Sequence, residues 1–408
     1  MILMITNRYL KATTVNILFF ILNTLFFLIV TPIALRVMGK DFYGLWSILC
    51  AIMLFSNVGN LGMGSIVNKF ASESPGEIDK REYLSRVFTS GVLIVLPMAI
   101  LIFLALFLFR NILTKALIDD IYLRLEFSKT LLIVGSSMVP QFMSYVYQGL
   151  LLSQLENKTV RIIELTTSIS LWFGSIIIVS LFGKSIFAVG LWCFVNSLLT
   201  LFLYVLVVQK ISEISFIVDK ALIRKMLNFS GYMFIESVAI NLFQQIDRVI
   251  LGIAINPSIA GVYSIGTSVG SRLSMVVGQI TSVMVPYASL MNSINDQEKL
   301  FLIFRRVSKY VSLIIGLIGG LGIIWMQTLL SLWITPAFAV EYTNPFRILI
   351  VAYCWLTLCR PAHQTLQGIG QVKFTSILYF FSSVIMLLGV YILTQKFGFI
   401  GAAIANTM

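Results

Sequence analysis

The chain has 408 residues, of which 58% are apolar and 11% are charged, and its formal net charge is +12. Soluble globular domains are about a quarter charged, so this composition excludes an ordinary soluble enzyme or binding domain. The basic residues lie mostly in short segments between apolar runs, which favours contact with anionic lipid over nucleic acid.

Apolar segments of about 20 residues, the length that crosses the hydrocarbon core as a helix, follow one another along the whole chain. The first six lie near residues 14–38, 42–66, 87–109, 130–154, 160–182 and 185–208. The second six lie near residues 229–254, 258–289, 306–333, 345–368 and 373–395, and from 398 onward. The sequence therefore predicts an all-α, polytopic membrane protein of about twelve transmembrane helices. We expect two six-helix bundles, residues 1–210 and residues 211–408.

The last of these segments is short. As a helix, residues 398–408 would extend about 16 Å, roughly half the thickness of the hydrocarbon core. A helix ending there would leave its last carbonyl groups in lipid. We therefore expect the last helix of the C-terminal bundle to be incomplete.

The distribution of basic residues predicts the orientation. A cytoplasmic N-terminus places 17 of the 29 lysines and arginines on the cytoplasmic side and 9 on the opposite side. Cytoplasmic loops of membrane proteins carry the excess of positive charge, so this orientation is expected. The remaining three, Arg248, Arg272 and Arg360, fall within predicted helices.

A short internal repeat relates the two halves of the chain. Residues 42–48 align with residues 259–265, and each segment opens the second helix of its half. The aligned pairs are Gly44 with Gly261, Trp46 with Tyr263, Ser47 with Ser264 and Ile48 with Ile265. Six helices per half is an even number, so both halves enter the membrane in the same direction. This predicts a parallel pseudo-repeat, as in transporters whose substrate path lies between two halves.

Polar residues recur on single faces of several predicted helices. The seventh helix has Ser237, Asn241, Gln244 and Arg248 on one face, with Glu236 and Asp247 beside it. The second helix has a similar face that includes Asn57 and Asn60. Lipid cannot satisfy such groups, so they face either neighbouring helices or a water-filled cavity. Interhelical hydrogen bonding and a cavity wall are both consistent with this pattern.

The arginines within helices are the more specific signal. Each costs roughly 2.5–3.5 kcal/mol at the centre of a bilayer on insertion scales. Structural ion pairs with Asp247 or Glu236 would neutralise at most two of Arg248, Arg272 and Arg360. The remaining positive charge predicts a cavity that attracts an anion.

Residues suited to catalysis are scarce. The four cysteines lie in apolar runs without CxxC spacing, and His363 is the only histidine. We therefore expect no metal site, no cofactor and no His-based catalytic triad. These features favour a transporter over an enzyme.

Several segments, taken in order, resemble a known family. They are residues 39–47 (GKDFYGLWS), 58–65 (VGNLGMGS), 229–231 (FSG), 247–248 (DR), 262–264 (VYS), Pro286, 332–334 (LWI) and 367–370 (QGIG). Their order and spacing resemble those of O-antigen and polysaccharide flippases from about residue 10 to the end. These proteins are the Wzx-type members of the multidrug/oligosaccharidyl-lipid/polysaccharide (MOP) exporter superfamily.

The resemblance implies a V-shaped, MATE-like pair of bundles that works by alternating access. It also implies transfer of a polyprenyl-pyrophosphate-linked oligosaccharide, an O-antigen or capsule repeat unit, across the cytoplasmic membrane. The anionic headgroup is assigned to Arg248, Arg272 and Arg360, and the cavity wall to Asn57, Asn60, Asn241, Gln244 and Asp247. Arg36 resembles a family position at the outer end of the first helix. Asn60 departs from the family, because many relatives have an acidic residue there.

The partners implied are the lipid-linked oligosaccharide and membrane lipid, with a polysaccharide polymerase and glycosyltransferases as further candidates. Two other classes remain open. A cation-coupled multidrug antiporter of the MATE type shares the expected fold but would favour buried carboxylates over arginines. A membrane glycosyltransferase or polymerase would need paired acidic residues near a membrane face or a long outer loop.

Overall fold

The structure, a computed structural model, describes residues 2–56, 60, 62–73, 80–154, 156–211, 214–281, 284–294 and 296–406. The side chains of residues 2–17, of residues 230–246 and of a few single positions lie outside this description. The described residues form thirteen helical segments and contain no strand. The all-α fold expected from the sequence is confirmed.

Helices occupy most of the predicted segments, but the predicted second helix, 42–66, is divided, because α1 ends at Ser56 and α2 begins at Met63. The first are α1 (Ile2–Ser56), α2 (Met63–Ser72), α3 (Lys80–Leu117), α4 (Ile121–Ser153), α5 (Asn157–Phe182) and α6 (Ile186–Ile211). They are followed by α7 (Lys220–Ala254), α8 (Pro257–Thr281), α9 (Met284–Ser293) and α10 (Gln297–Trp333). The last three are α11 (Pro336–Leu358), α12 (Arg360–Gly368) and α13 (Val372–Ala405).

Two pairs of helices that were predicted as separate form continuous helical segments in the structure, and each of these segments turns at a glycine. Within α1 the backbone turns at Gly39 (φ 76°), between the predicted first and second helices. Within α13 it turns at Gly398 (φ 59°), between the predicted eleventh and twelfth helices. Residues with a side chain rarely adopt such φ values, whereas glycine does so without steric cost. Both glycines therefore allow the helical segment to change direction without an intervening loop.

The predicted tenth helix, residues 345–368, differs in the structure. Helix α11 begins earlier, at Pro336, where the Thr335 side chain caps the helix by accepting a hydrogen bond from Phe338 N at 3.2 Å. It ends at Leu358, and α12 begins at Arg360. The break lies just before Pro361, because proline lacks an N–H and its ring clashes with the preceding turn.

Six described helices are long and apolar enough to cross a membrane. They are Leu18–Leu54, Arg81–Leu117, Asn157–Phe182, Ile186–Ile211, Gln297–Ile324 and Ile377–Ala405. In the most apolar part of each, only 17–28% of the residues are buried within the protein. Such extensive exposed apolar surface requires lipid around it, so the chain is a multi-pass membrane protein.

The chain divides into two compact units, the N-terminal unit (Met1–Asn241) and the C-terminal unit (Leu242–Met408). In the N-terminal unit α4 packs against α2, α3, α5 and α6. It buries Thr130, Ser137 and Ser144 at seven-residue intervals, and each hydroxyl donates to a carbonyl of α4. The burial of these residues and the four packing partners make α4 an interior helix of its unit. In the C-terminal unit α11 packs against α8, α10 and α13.

The segment before α7 packs on the N-terminal unit, which explains why the two units divide inside α7. Backbone N–H groups of Ser215 and Ile217 each donate to a side-chain hydroxyl of α3, at 3.0 Å. Asp219 caps α7 through Leu222 N at 3.0 Å and also pairs with Arg86 of α3. The hydrogen bond from Leu222 N lowers the pKa of Asp219, and the neighbouring Arg86 lowers it further.

The internal repeat has an equivalent local structure in both copies. Ser47 Oγ donates to Gly44 O at 2.8 Å, and Ser264 Oγ donates to Gly261 O at 2.7 Å. The aligned serines therefore make the same hydrogen bond to the aligned glycines, and both are buried. The likeness of the two halves extends from the sequence to the hydrogen bonding.

Candidate functional site

The three arginines predicted within the membrane all lie in the C-terminal unit, on or beside α8. Arg248, near the end of α7, donates from Nη2 to Thr267 Oγ1 of α8 at 3.2 Å. Arg360, at the start of α12, donates from Nε to Ser274 Oγ of α8 at 3.3 Å. Arg272 is part of α8 itself, and all three side chains are partly buried. Helix α8 thus connects arginines from two other helices.

Two of these arginines, Arg248 and Arg360, contact the same face of α8. Thr267 and Ser274 are separated by seven residues, so they lie two turns and roughly 10 Å apart on the same side of the helix. Both are buried, at 1% and 3% exposure. Arg272 lies about 140° around the helix from Thr267, since each residue turns the helix by about 100°. The structure therefore brings Arg248 and Arg360 to one face of α8 and places Arg272 on another.

Asp247 is nearly inaccessible, at 2% exposure, and its carboxylate accepts several hydrogen bonds. Oδ1 accepts from the backbone N of Arg248 at 2.8 Å, and Oδ2 accepts from Asn406 Nδ2 at 3.2 Å. The hydroxyl of Tyr263 is a further partner. The salt bridges of the described residues join other pairs, so the hypothesised ion pair between Asp247 and the Arg248 guanidinium is not observed. The Asp247 network instead connects α7, α8 and α13.

The other residues predicted for the site are more scattered. Arg36 is exposed on α1, shortly before the turn at Gly39. Asn60 accepts a hydrogen bond from Gly62 N at 2.7 Å, just before α2, so its carbonyl oxygen supports a local turn. Asn57 lies outside the described residues, and so do the side chains of Asn241 and Gln244 on α7.

The N-terminal unit contains a polar cavity that was not predicted from the sequence. It has a volume of about 330 Å³ and lies among α1, α4, α5 and α6. Its polar wall includes Gln141, Gln148, Glu164, Asn196, Thr200 and Tyr204. Two acceptors on this wall, Gln141 Oε1 and Asn196 Oδ1, are buried and have no hydrogen-bond partner among the described residues.

Glu164 is the carboxylate of this cavity, and its oxygens already have partners. Oε1 accepts from Gln148 Nε2 at 2.7 Å, and Oε2 pairs with Arg161 Nη1 at 2.6 Å. The sequence contained one signal for this cavity, the spacing of polar residues on α4. Gln141 and Gln148 are separated by two helical turns and so lie on the same face of that helix. Each of these helices nevertheless has an apolar outer face, which dominates its average hydropathy.

The fold is similar to those of solved membrane transporters. An inward-facing multidrug resistance MATE family transporter of the MOP superfamily matches with a TM-score of 0.78 at 12% identity, over 93% of this chain and 90% of that one. The lipid II flippase MurJ in an inward-closed conformation matches with a TM-score of 0.72 at 18% identity, over 95% of this chain and 84% of that one. The chain therefore has the fold of MOP superfamily transporters.

The sequence places the chain in one family with this fold. Residues 9–292 match the family described as polysaccharide biosynthesis protein, and the chain belongs to that family. A Shigella flexneri protein named "Putative O-antigen transporter" is 20% identical over 185 residues. That match covers 45% of this chain and 43% of the length of its relative. The expected resemblance is thus confirmed for the family and for the fold.

Proposed function

We propose that the chain is a flippase, which moves a polyprenyl-pyrophosphate-linked oligosaccharide across the cytoplasmic membrane by alternating access. The cargo would be an O-antigen or capsule repeat unit. The family and the names of the O-antigen transporter and the lipid II flippase support a lipid-linked glycan as the substrate class. In this proposal the N-terminus is cytoplasmic, and the enzymes that assemble or polymerise the glycan are candidate partners.

The observation on which the proposal depends is the pair of arginines on one face of α8. Each arginine is bonded to a neutral hydroxyl of that helix, and these hydroxyls, on Thr267 and Ser274, are about two turns apart. None of the salt bridges among the described residues involves either side chain. No described acidic side chain therefore forms an ion pair with either guanidinium, and the side chain of Glu236, the other hypothesised partner, lies outside the described residues. Guanidinium groups bind phosphate oxygens through paired hydrogen bonds. A pyrophosphate headgroup has the matching chemistry.

The experiment replaces Arg248 or Arg360 by Ala and by Lys in the chain's own host after deletion of its gene. We expect the Ala variants to lose surface polysaccharide while membrane abundance stays near the unmodified level. Lys should restore export in part, because it retains the charge but not the two-pronged geometry. Arg306→Ala, which removes an exposed arginine of α10, is the matched control and should export normally. Full export by both Ala variants would refute the proposed role.

A multidrug antiporter is the second candidate, and one observation favours it. Asp247 is a carboxylate buried among membrane helices, as expected for a site that couples transport to a cation. The discriminating measurement is drug efflux by cells that overproduce the chain. Efflux that needs Asp247 but tolerates Arg248→Ala and Arg360→Ala would favour the antiporter, whereas loss of polysaccharide export in the arginine variants favours the flippase.

A further inference from the structure

The polar cavity of the N-terminal unit has unmet hydrogen-bonding capacity. Gln141 Oε1 of α4 and Asn196 Oδ1 of α6 are both buried acceptors without a hydrogen-bond partner among the described residues. Asn196 is only 8% exposed, so bulk water does not readily reach its side chain. Buried polar atoms normally have partners, because leaving them unpaired is costly. Since both residues line the same cavity, its occupant should donate hydrogen bonds to them.

The charges around the cavity favour a neutral occupant. Among the described residues of its wall, none is basic, so an anionic group gains no attraction there. Glu164, its carboxylate, already pairs with Arg161 and accepts from Gln148. A cation would therefore have to compete with a guanidinium for that carboxylate. The acceptors that remain unpaired are neutral amide oxygens, which suit hydroxyl donors.

The size and the aromatic residues of the cavity narrow the class of occupant further. Its volume of about 330 Å³ is roughly ten times the share of one water molecule and lies at the lower end of small-molecule sites. A bare monovalent ion would leave most of this space unfilled. Tyr145 and Tyr204 line the cavity as well, and their rings offer apolar surface beside the polar groups. Apolar ring faces next to amide acceptors match a sugar, which has C–H surfaces and hydroxyl edges.

We propose that this cavity binds one sugar residue of the lipid-linked glycan, with Gln141 Oε1 and Asn196 Oδ1 accepting from its hydroxyl groups. The inference rests on the proposed flippase function and adds a glycan subsite within the N-terminal unit. Headgroup and sugar are then recognised by different chemistry, because the arginines of the C-terminal unit attract charge and this cavity provides neutral acceptors. The subsite should contribute to affinity only when the lipid carries its glycan.

The test measures binding to the purified full chain in nanodiscs with two probes. One is undecaprenyl pyrophosphate without sugar, and the other is the lipid-linked glycan extracted from the chain's own host. Asn196→Leu and Gln141→Leu should each weaken glycan-lipid binding roughly 2- to 10-fold, the effect of one lost hydrogen bond. Binding of the sugar-free lipid should stay unchanged. Asn196→Asp keeps an acceptor oxygen and should retain most of the glycan-lipid affinity.

Two controls separate this effect from a folding defect and from headgroup binding. Ser90→Ala removes another buried hydroxyl of the N-terminal unit that has no partner among the described residues and does not line the cavity. It should leave both affinities unchanged. Arg248→Ala should weaken both probes by the same factor, because it acts on the headgroup. Every variant is first checked for a single symmetrical peak in size-exclusion chromatography.

The outcomes distinguish the two proposals. If the unmodified chain binds neither probe, the flippase function itself is wrong. If it binds both probes equally well, or if Asn196→Leu and Gln141→Leu leave the preference for the glycan intact, the sugar subsite is wrong and the flippase function stands. If binding of the sugar-free lipid depends on sodium in the unmodified chain and loses that dependence in Asn196→Leu, the cavity is a cation site, which also overturns the sugar subsite.

Discussion

Replacement of Tyr263 by phenylalanine removes one hydroxyl from the Asp247 network and leaves the aromatic ring in place. Tyr263 is fully buried in α8, and its ring packs against Phe399 with 5.6 Å between the ring centroids. Its hydroxyl interacts with the Asp247 carboxylate and accepts from Asn406 Nδ2. The substitution keeps the packing and removes a hydrogen bond that helps to connect α7, α8 and α13.

The expected loss follows from the burial of the carboxylate. A hydrogen bond to a charged group contributes about 1.5–3 kcal/mol, and Asp247 is too buried for water to replace the missing donor. In units of about 150–250 residues, a loss of 1 kcal/mol lowers the melting temperature by about 2–4 °C. We therefore expect Tyr263→Phe to lower the apparent melting temperature of the C-terminal unit by roughly 3–12 °C.

The assay heats the detergent-solubilised protein and measures the fraction that remains monodisperse in size-exclusion chromatography. Tyr342→Phe is the matched control, because it removes a hydroxyl that bonds to the exposed Glu341 on α11. Exposed polar interactions contribute at most about 1 kcal/mol, so the control should melt within about 4 °C of the unmodified chain. A Tyr263→Phe variant that melts less than about 3 °C below the unmodified chain would refute the inference that the Asp247 network stabilises this unit.

Two further predictions concern topology and packing. Reporter fusions at Asp79 and Asp296 should indicate the cytoplasm, and fusions at Pro257 and Ala337 should indicate the outer side. Two reversed readings would invalidate the predicted orientation. Gly149→Ala should lower the melting temperature, because the added Cβ would lie 2.5 Å from Gly64 O and 2.8 Å from Val67 Cβ, and overpacking costs about 1–3 kcal/mol. Gly320→Ala, with no neighbouring atom within 4 Å, should leave it unchanged or raise it, and equal losses for both variants would contradict this reasoning.

The positions of the spanning helices were predictable because hydropathy is a local property of about 20 consecutive residues. The predicted segments near 87–109 and 160–182 lie within α3 and α5 of the structure, and the segment near 185–208 starts one residue before α6. The early start of α11 was not anticipated, since residues 336–344 are more polar and the cap at Thr335 depends on local geometry. Helix existence was therefore easier to predict than helix boundaries.

The candidate site was predictable only in part. Arg248 and Arg360 were recognisable because a charged residue within an apolar segment is conspicuous wherever the helix packs. Their hydroxyl partners were not recognisable, since Thr267 and Ser274 resemble the other small polar residues of α8. The cavity in the N-terminal unit was missed for the same reason, because Gln141, Glu164 and Asn196 lie on three different helices.

The sequence alone thus determined that the chain crosses the membrane many times as helices and that it resembles polysaccharide flippases. It also predicted that three arginines lie within its apolar segments. Only the tertiary structure decided which groups meet. Arg248 contacts a residue 19 positions away, Arg360 one 86 positions away, and Asp247 one 159 positions away. Such contacts depend on which helix faces lie opposite each other. The packing of whole helices settles that arrangement, and no local pattern of residues records it.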